Sequence, residues 1–158
     1  MRTAVYPGSF DPITFGHLDI IRRGTRMFDR VVVAVLQNEE KRALFPVGER
    51  IEMIRESTAD LPQVDIQHFS GLLVNFMKTI DAHVVVRGIR AVSDFEYEFQ
   101  MALMNRALAP EVETIFMMPA VEYTYVSSRL VKEVFRLGGN VEHLVPAHVL
   151  ARMKEKFA

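Results

Sequence analysis

The sequence predicts an α/β protein built on a doubly wound, five-stranded parallel sheet. Three observations carry that expectation. Five short runs rich in β-branched residues recur along the chain: "TAVYP" from Thr3, "VVVAVL" from Val31, "VDIQHF" from Val64, "HVVVRG" from His83 and "VETIFMMP" from Val112. The second and fourth are continuously apolar, as strands covered on both faces are. Between the runs lie helical patterns, so strands and helices alternate as right-handed parallel crossovers require.

Each element has its own signals. After the first run, Pro7, Gly8, Pro12 and Gly16 punctuate a short, stiff loop, and a helix follows over 15–29 with Thr14 placed to cap it. The second run leads to a helix over 48–60 and the third to one over 72–81. The fourth leads to a helix over 94–108, opened by Ser93 and Glu96 in capping-box spacing. The fifth precedes a helix over 127–137, with Ser127 and Ser128 at its start and Gly138 and Gly139 at its end. A last helix lies near 146–157. No repeat, low-complexity segment or linker interrupts the 158 residues, which are expected to form a single domain over 1–158.

Composition narrows the function. A net charge of −1 gives no electrostatic reason to expect nucleic acid or an anionic membrane as partner. No apolar stretch approaches the roughly eighteen residues of a membrane span, and "MRTAVYPG" lacks the apolar run of a signal peptide. The absence of cysteine excludes disulfides and thiolate chemistry and suits a reducing cytoplasm, the expected location. Neither G-x-G-x-x-G nor G-x-x-x-x-G-K-[ST] occurs, which removes the main support for dinucleotide oxidoreductases and P-loop enzymes.

In doubly wound sheets, ligands bind beyond the carboxyl ends of the strands. That rule selects the loops 7–16, 37–47, 69–72, 87–93 and 119–127. The first offers Ser9, Thr14, Gly16 and His17 at a helix N-terminus, where free N–H groups favour an anion. The second carries Lys41 and Arg42, and the fourth places Arg87 and Arg90 around Gly88, in reach of bidentate phosphate contacts. The fifth ends in Ser127 and Ser128, a second hydroxyl-rich helix start on the same edge.

Taken singly, each motif also has a plain structural reading: a Thr cap with a surface histidine, solvated loop charges, arginines paired with Asp94 or Glu96, and serine caps. Asp94 and Glu98 share a helix face, but two carboxylates alone do not make an acid–base pair. His143 and His148 lack metal-ligand spacing, His68 and His83 sit at strand ends, and no protein metal site is expected. Met101 and Met104 read as core filling. Together, two phosphate-type helix starts, one histidine, one lysine and two arginines on one edge suit a nucleoside triphosphate and a second anionic substrate.

The segment "GSFDPITFGH" resembles the T-x-G-H signature of the adenylyl- and cytidylyltransferase superfamily, here Thr14 to His17. "RGIRAVSDFEYEFQMALMNR" and "SSRLVKEV" are similar to the bacterial phosphopantetheine adenylyltransferase family, and the resemblance spans essentially the whole chain. It implies a Rossmann-like nucleotidyltransferase fold and the reaction of ATP with 4′-phosphopantetheine to give dephospho-coenzyme A and pyrophosphate. It implies Mg²⁺, bound mainly through the ATP phosphates, and a homohexamer. By the same resemblance ATP falls on Ser9, Phe10, His17, Gly88, Ile89, Arg90, Glu98, Tyr123, Thr124, Tyr125, Val126, Ser127, Ser128 and Arg129. Phosphopantetheine falls on Ser9, Lys41, Leu73 and Arg87, and His17, Lys41 and Arg90 are the catalytic groups. Arg129 departs from the small hydroxyl residue usual there in the family.

The chemistry fits the residue types. A phosphate monoester is already largely dianionic at neutral pH, its second pKa being about 6, so no general base is needed. Alignment and charge neutralisation at the α-phosphorus are what remain to be supplied. Leu72, Leu73 and the 101–105 helix face are expected to line an apolar trough for the pantetheine arm, with Asn105 available to its amides. A sister nucleotidyltransferase using another acceptor, such as nicotinate mononucleotide, and a non-catalytic ATP-binding module are the alternative readings.

Overall fold

A computed structural model of the chain describes residues 1–38 and 42–158, with Ser93 described by its backbone alone. Five parallel strands form one sheet in the order β3-β2-β1-β4-β5: β1 (Thr3–Gly8), β2 (Arg30–Leu36), β3 (Val64–Phe69), β4 (Val84–Gly88) and β5 (Glu113–Met117). The strand order reverses between β1 and β4, which opens a crevice at their carboxyl ends. The helices are α1 (Phe15–Met27), α2 (Val47–Ser57), α3 (Leu73–Thr79), α4 (Val92–Leu108), α5 (Ser128–Arg136) and α6 (Ala147–Phe157).

The apolar run of β2 is explained by burial on both faces. Val33 and Val35 join Ile21, Phe45, Met53, Val131 and Met153 in one core beneath α1, α2, α5 and α6. Val32 and Ala34 join Phe69, Val74, Met77 and Val85 in a second core on the α3 side. Each such buried side chain contributes about 1.5–3 kcal/mol of apolar transfer. The edge strands β3 and β5 are only partly buried, so their patterns are less continuous.

Element ends differ where a local bond decides them. Helix α1 stops at Met27 because Phe28 is extended and the Asp29 carboxylate accepts the Arg2 N–H at 2.7 Å. Helix α2 stops at Ser57, where the Thr58 hydroxyl donates to the Ile54 carbonyl at 2.8 Å. Helix α4 begins at Val92 with Ala91 as its N-cap, so Ser93 and Glu96 do not form the expected capping box. Asp94 instead bonds the residue before the N-cap: its carboxylate accepts the Arg90 N–H at 3.3 Å. Gly138, at φ +83°, ends α5 as expected: its N–H reaches Phe135 O and that of Gly139 reaches Val134 O, a Schellman closure. A 3₁₀ turn at Val121–Tyr123 was not signalled by the sequence.

The carboxyl edge of the sheet is stitched by two buried charges. Arg50, on the first turn of α2, is 5% exposed and donates to Phe45 O at 3.0 Å, Ser9 O at 2.7 Å and Leu36 O at 3.1 Å. Asp11 accepts the N–H groups of Leu44 and Phe45 at 2.8 and 2.9 Å and pairs with Lys132 of α5 at 3.0 Å. Replacing Arg50 by Met would leave three carbonyls without their donor. With about 1–3 kcal/mol lost per buried unsatisfied group, the urea midpoint should fall by the equivalent of about 3 kcal/mol or more. Arg50→Lys should recover only part, because a single ammonium cannot span the three acceptors. A melt of Arg50→Met like that of the parent would refute this account.

Candidate active site

The first loop, the end of β4 and the start of α5 meet around a cavity of about 260 Å³. Its wall includes Ser9, Phe10, His17, Gly88, Arg90 and Ser127. Helices α1 and α5 both begin there, so the positive ends of two helix dipoles converge on one space, although the Phe15 N–H is taken by Leu144 O, that of His17 by Thr14 Oγ1 and that of Leu130 by Ser127 Oγ. Ser127 is the N-cap of α5, its hydroxyl accepting the Leu130 N–H at 3.1 Å, and Ser128 donates to Pro12 O at 2.6 Å.

The start of α1 determines the chemistry of His17. Thr14 caps the helix: its hydroxyl accepts the His17 N–H at 3.3 Å, while the Thr14 N–H donates to His17 Nδ1 at 3.1 Å. A backbone N–H only donates, so Nδ1 carries no proton and the neutral ring holds it on Nε2. Phe10, in the left-handed region at φ +49°, sets its ring edge-on against the imidazole at 5.0 Å. Burial, reinforced by Arg90 and Arg87, pushes the His17 pKa down to about 3. The helix dipole therefore meets a neutral donor rather than a cation.

The arginines are pre-paired. Arg87 grips Glu98 through Nε at 2.8 Å and Nη2 at 2.5 Å, and donates from Nη1 to Pro7 O at 2.6 Å. Burial alone would lower the Arg87 pKa, but the Glu98 hydrogen bond and charge reverse that and hold it above its usual value. Arg90 pairs with Asp94 at 3.0 Å and donates to Val126 O at 2.9 Å, tying the 87–90 loop to the start of α5. Each guanidinium uses three of its five N–H groups in these bonds and keeps donors to spare.

A second cavity, of about 330 Å³, adjoins the first. Both are lined by Pro7, Gly8, Ser9, Arg87 and Glu98. Leu73, Phe69, Val85, Met101 and Ala102 make the second mostly apolar, with Tyr97, Asn105 and Thr114 as its other polar members.

The structure thus brings Ser9, Phe10, His17, Gly88, Arg90, Glu98, Tyr123, Val126, Ser127 and Ser128 to the first cavity and Leu73 to the second. Ile89, Thr124, Tyr125 and Arg129 line neither. Lys41 lies outside the described residues. Leu72, expected in the trough, is the α3 N-cap, 54% exposed and outside it. Met101 and Met104, expected as core, are 40% and 56% exposed. The expected Arg–Asp94 pairing occurs at Arg90, whereas Arg87 takes Glu98 rather than Asp94 or Glu96. Sequence reasoning missed Asp19, which accepts the Ala120 N–H at 3.0 Å and pairs with Arg23, holding the 119–127 loop against α1. An acid and a base four apart on a helix signal only a local pair, not its tie to a loop a hundred residues away.

A family model described as cytidylyltransferase-like matches residues 5–134, which makes the fold that of a nucleotidyltransferase. The chain is 54% identical over 157 residues to the phosphopantetheine adenylyltransferase of Caldanaerobacter subterraneus subsp. tengcongensis, covering 99% of this chain and 98% of the relative. It is 53% identical, with the same coverage, to that of Dictyoglomus turgidum, and 54% identical over 154 residues to that of Synechococcus elongatus, covering 98% and 93%. At that identity and coverage the chain belongs to the phosphopantetheine adenylyltransferase family.

The lowered His17 pKa gives a signed pH test. Below the usual histidine pKa of 6.5 the unfolded chain takes up a proton that the folded ring refuses until about pH 3. His17 therefore contributes stability above 6.5 that is lost as pH falls through that window. In ¹⁵N NMR the His17 ring should keep a protonated Nε2 and a bare Nδ1 from pH 8 to about 4. A titration centred near 6.5 would refute the assignment.

Proposed function

We propose that this chain transfers the adenylyl group of ATP to 4′-phosphopantetheine, releasing pyrophosphate and forming dephospho-coenzyme A by direct in-line attack, as one domain over 1–158. The observation that carries the reading is the pair of cavities sharing Ser9 and Arg87 as a common wall. ATP takes the first cavity, with its phosphates on the starts of α1 and α5 and on Arg90. The acceptor takes the second, its phosphate at Arg87 and Ser9 and its arm along Leu73 and the α4 wall. A dianionic phosphate oxygen attacks the α-phosphorus, and pyrophosphate leaves on the opposite side. His17 donates from Nε2 to the non-bridging oxygen where charge builds. Lys41 and Arg90 are assigned to the charge of the transferring and leaving phosphates, and the family resemblance extends the ATP contacts to Ile89, Thr124, Tyr125 and Arg129.

Among the described residues no cluster of three or more His, Cys, Asp or Glu is arranged for a metal. Asp94 and Glu98, the carboxylates of the ATP cavity, are already held by arginines. Such a site fits Mg²⁺ carried on the triphosphate oxygens, where it supplies charge neutralisation when bound. Among the described residues no helix is long and apolar enough to cross a membrane, and a chain without cysteine needs no oxidising compartment. Both agree with a cytoplasmic enzyme.

A homohexamer is part of the same reading. Helix α4 has no single apolar stripe, and five of its large apolar side chains, Phe95, Phe99, Leu103, Met104 and Leu108, are each 47–56% exposed. A second copy of the chain is the cover we assign to that face.

Mixing ATP, Mg²⁺ and phosphopantetheine should release pyrophosphate with purified protein. ATP binding without acceptor-dependent turnover would favour a non-catalytic module, and turnover with nicotinate mononucleotide instead would favour a sister enzyme. His17→Ala should lower kcat by about 10²–10³ while shifting substrate affinities only a few-fold. Near-normal kcat in that variant would remove His17 from the mechanism. Leu103→Glu with Leu108→Glu should reduce the molar mass in light scattering to a smaller species; an unchanged mass would move the interface elsewhere.

A further inference from the structure

In the acceptor cavity one polar atom has no structural employment. Thr114 lines that cavity from β5, and its Oγ1 is buried without a hydrogen-bond partner among the described residues. Buried hydroxyls are normally bonded, and an unbonded one destabilises the fold that holds it. Valine would fill the same volume, favour the strand more, and match its register partner Val85. The hydroxyl therefore has no packing reason to be there.

Its position suggests what it meets. Thr114 is in register with Val85, while Arg87, two residues on, is in register with Phe116. The Thr114 Cα thus lies two strand residues, about 6–7 Å along the strand at 3.3 Å per residue, behind the level of the Arg87 Cα, whose side chain marks the anionic end of the cavity. Asn105 and Tyr97, across on α4, are further uncharged polar side chains of that cavity. An acceptor anchored by its phosphate at Arg87 would run its arm between Thr114 and Asn105.

We propose that Thr114 is a specificity-determining residue whose hydroxyl, turned into the cavity by rotation about χ1 as the arm enters, hydrogen-bonds an amide of the acceptor's arm. This rests on the proposed function, since the occupant is taken to be a phosphorylated, amide-bearing acceptor. The hydroxyl selects for such an arm, because an aliphatic phosphate of equal width would leave the buried hydroxyl unpaired.

The test separates binding from folding. Thr114→Val should weaken phosphopantetheine binding in calorimetry about tenfold, the equivalent of one neutral hydrogen bond, and leave ATP affinity unchanged. Its melting temperature should equal or exceed that of the parent, because the substitution removes an unbonded polar atom rather than a bond. Thr114→Ser, which keeps the hydroxyl, should restore most of the lost affinity. Unchanged phosphopantetheine affinity in Thr114→Val, with normal turnover by the parent protein, would overturn the role of Thr114 and leave the proposed function standing. A loss shared equally by ATP, or accompanied by a lowered melting temperature, would overturn it in favour of a structural role. Failure of the parent protein to turn over phosphopantetheine would overturn both.

Discussion

The site depends on how the carboxyl edge of a parallel sheet is closed. Strands that end together present carbonyls and loops that have no reason to stay together. Arg50 answers this by donating to carbonyls at the ends of β1 and β2 and at the start of α2. No carboxylate hydrogen-bonds it among the described residues; its charge is spread over backbone dipoles, with Asp11 near enough to offset part of the desolvation that lowers its pKa. Asp11 extends the closure to α5 through Lys132. A buried charge of this kind is poor evidence for stability but specifies one arrangement of the loops it bonds. Ser9 and the starts of α1 and α5 inherit their relative positions from it.

The anion site within that frame is made by orientation rather than by excess charge. A chain of net charge −1 presents Arg87 and Arg90 to the cavities only with Glu98 and Asp94 attached. The carboxylates hold each guanidinium plane and leave its remaining N–H groups aimed elsewhere. Helix starts add donors that carry no net charge at all. His17 follows the same logic. Kept neutral by burial and two nearby arginines, it presents one proton-bearing nitrogen in a fixed direction, which in the proposed reaction would need no reorganisation as charge develops.

Much of this was legible in the sequence, and the residues show why. The double-sided burial of β2 is written in its unbroken valines, and the α1 start in Thr14 and His17. The strand-end rule placed Ser9, Arg87, Arg90 and Ser127 on one edge before any contact was known. What stayed hidden was pairing across long separations. Arg50 reads as an ordinary first-turn helix charge, and nothing local marks it as the donor to Ser9, 41 residues earlier. Ser93 and Glu96 fit a capping box in spacing, yet Asp94 can bond both the backbone and the side chain of Arg90, and that pair moved the helix start two residues earlier. Likewise Met101 and Met104 carry no mark distinguishing a core from a face left open by this chain alone.

Helix α4 joins these themes. On one side Glu98, Met101, Ala102 and Asn105 form a wall of the acceptor cavity; on the others Phe95, Phe99, Leu103 and Leu108 are exposed. Within the chain it is bound mainly by the Arg87–Glu98 and Arg90–Asp94 pairs and by packing on α3 and β5. A wall held so lightly has few buried contacts to order it, which places it at the low-stability end of the fold. On the proposed assembly, covering the outer face would fix the inner one, because a helix is too stiff for its two sides to move apart. Subunit association and acceptor affinity would then draw on the same ordering of α4, whereas ATP, held by the starts of α1 and α5, would feel it only through Arg90 and Glu98.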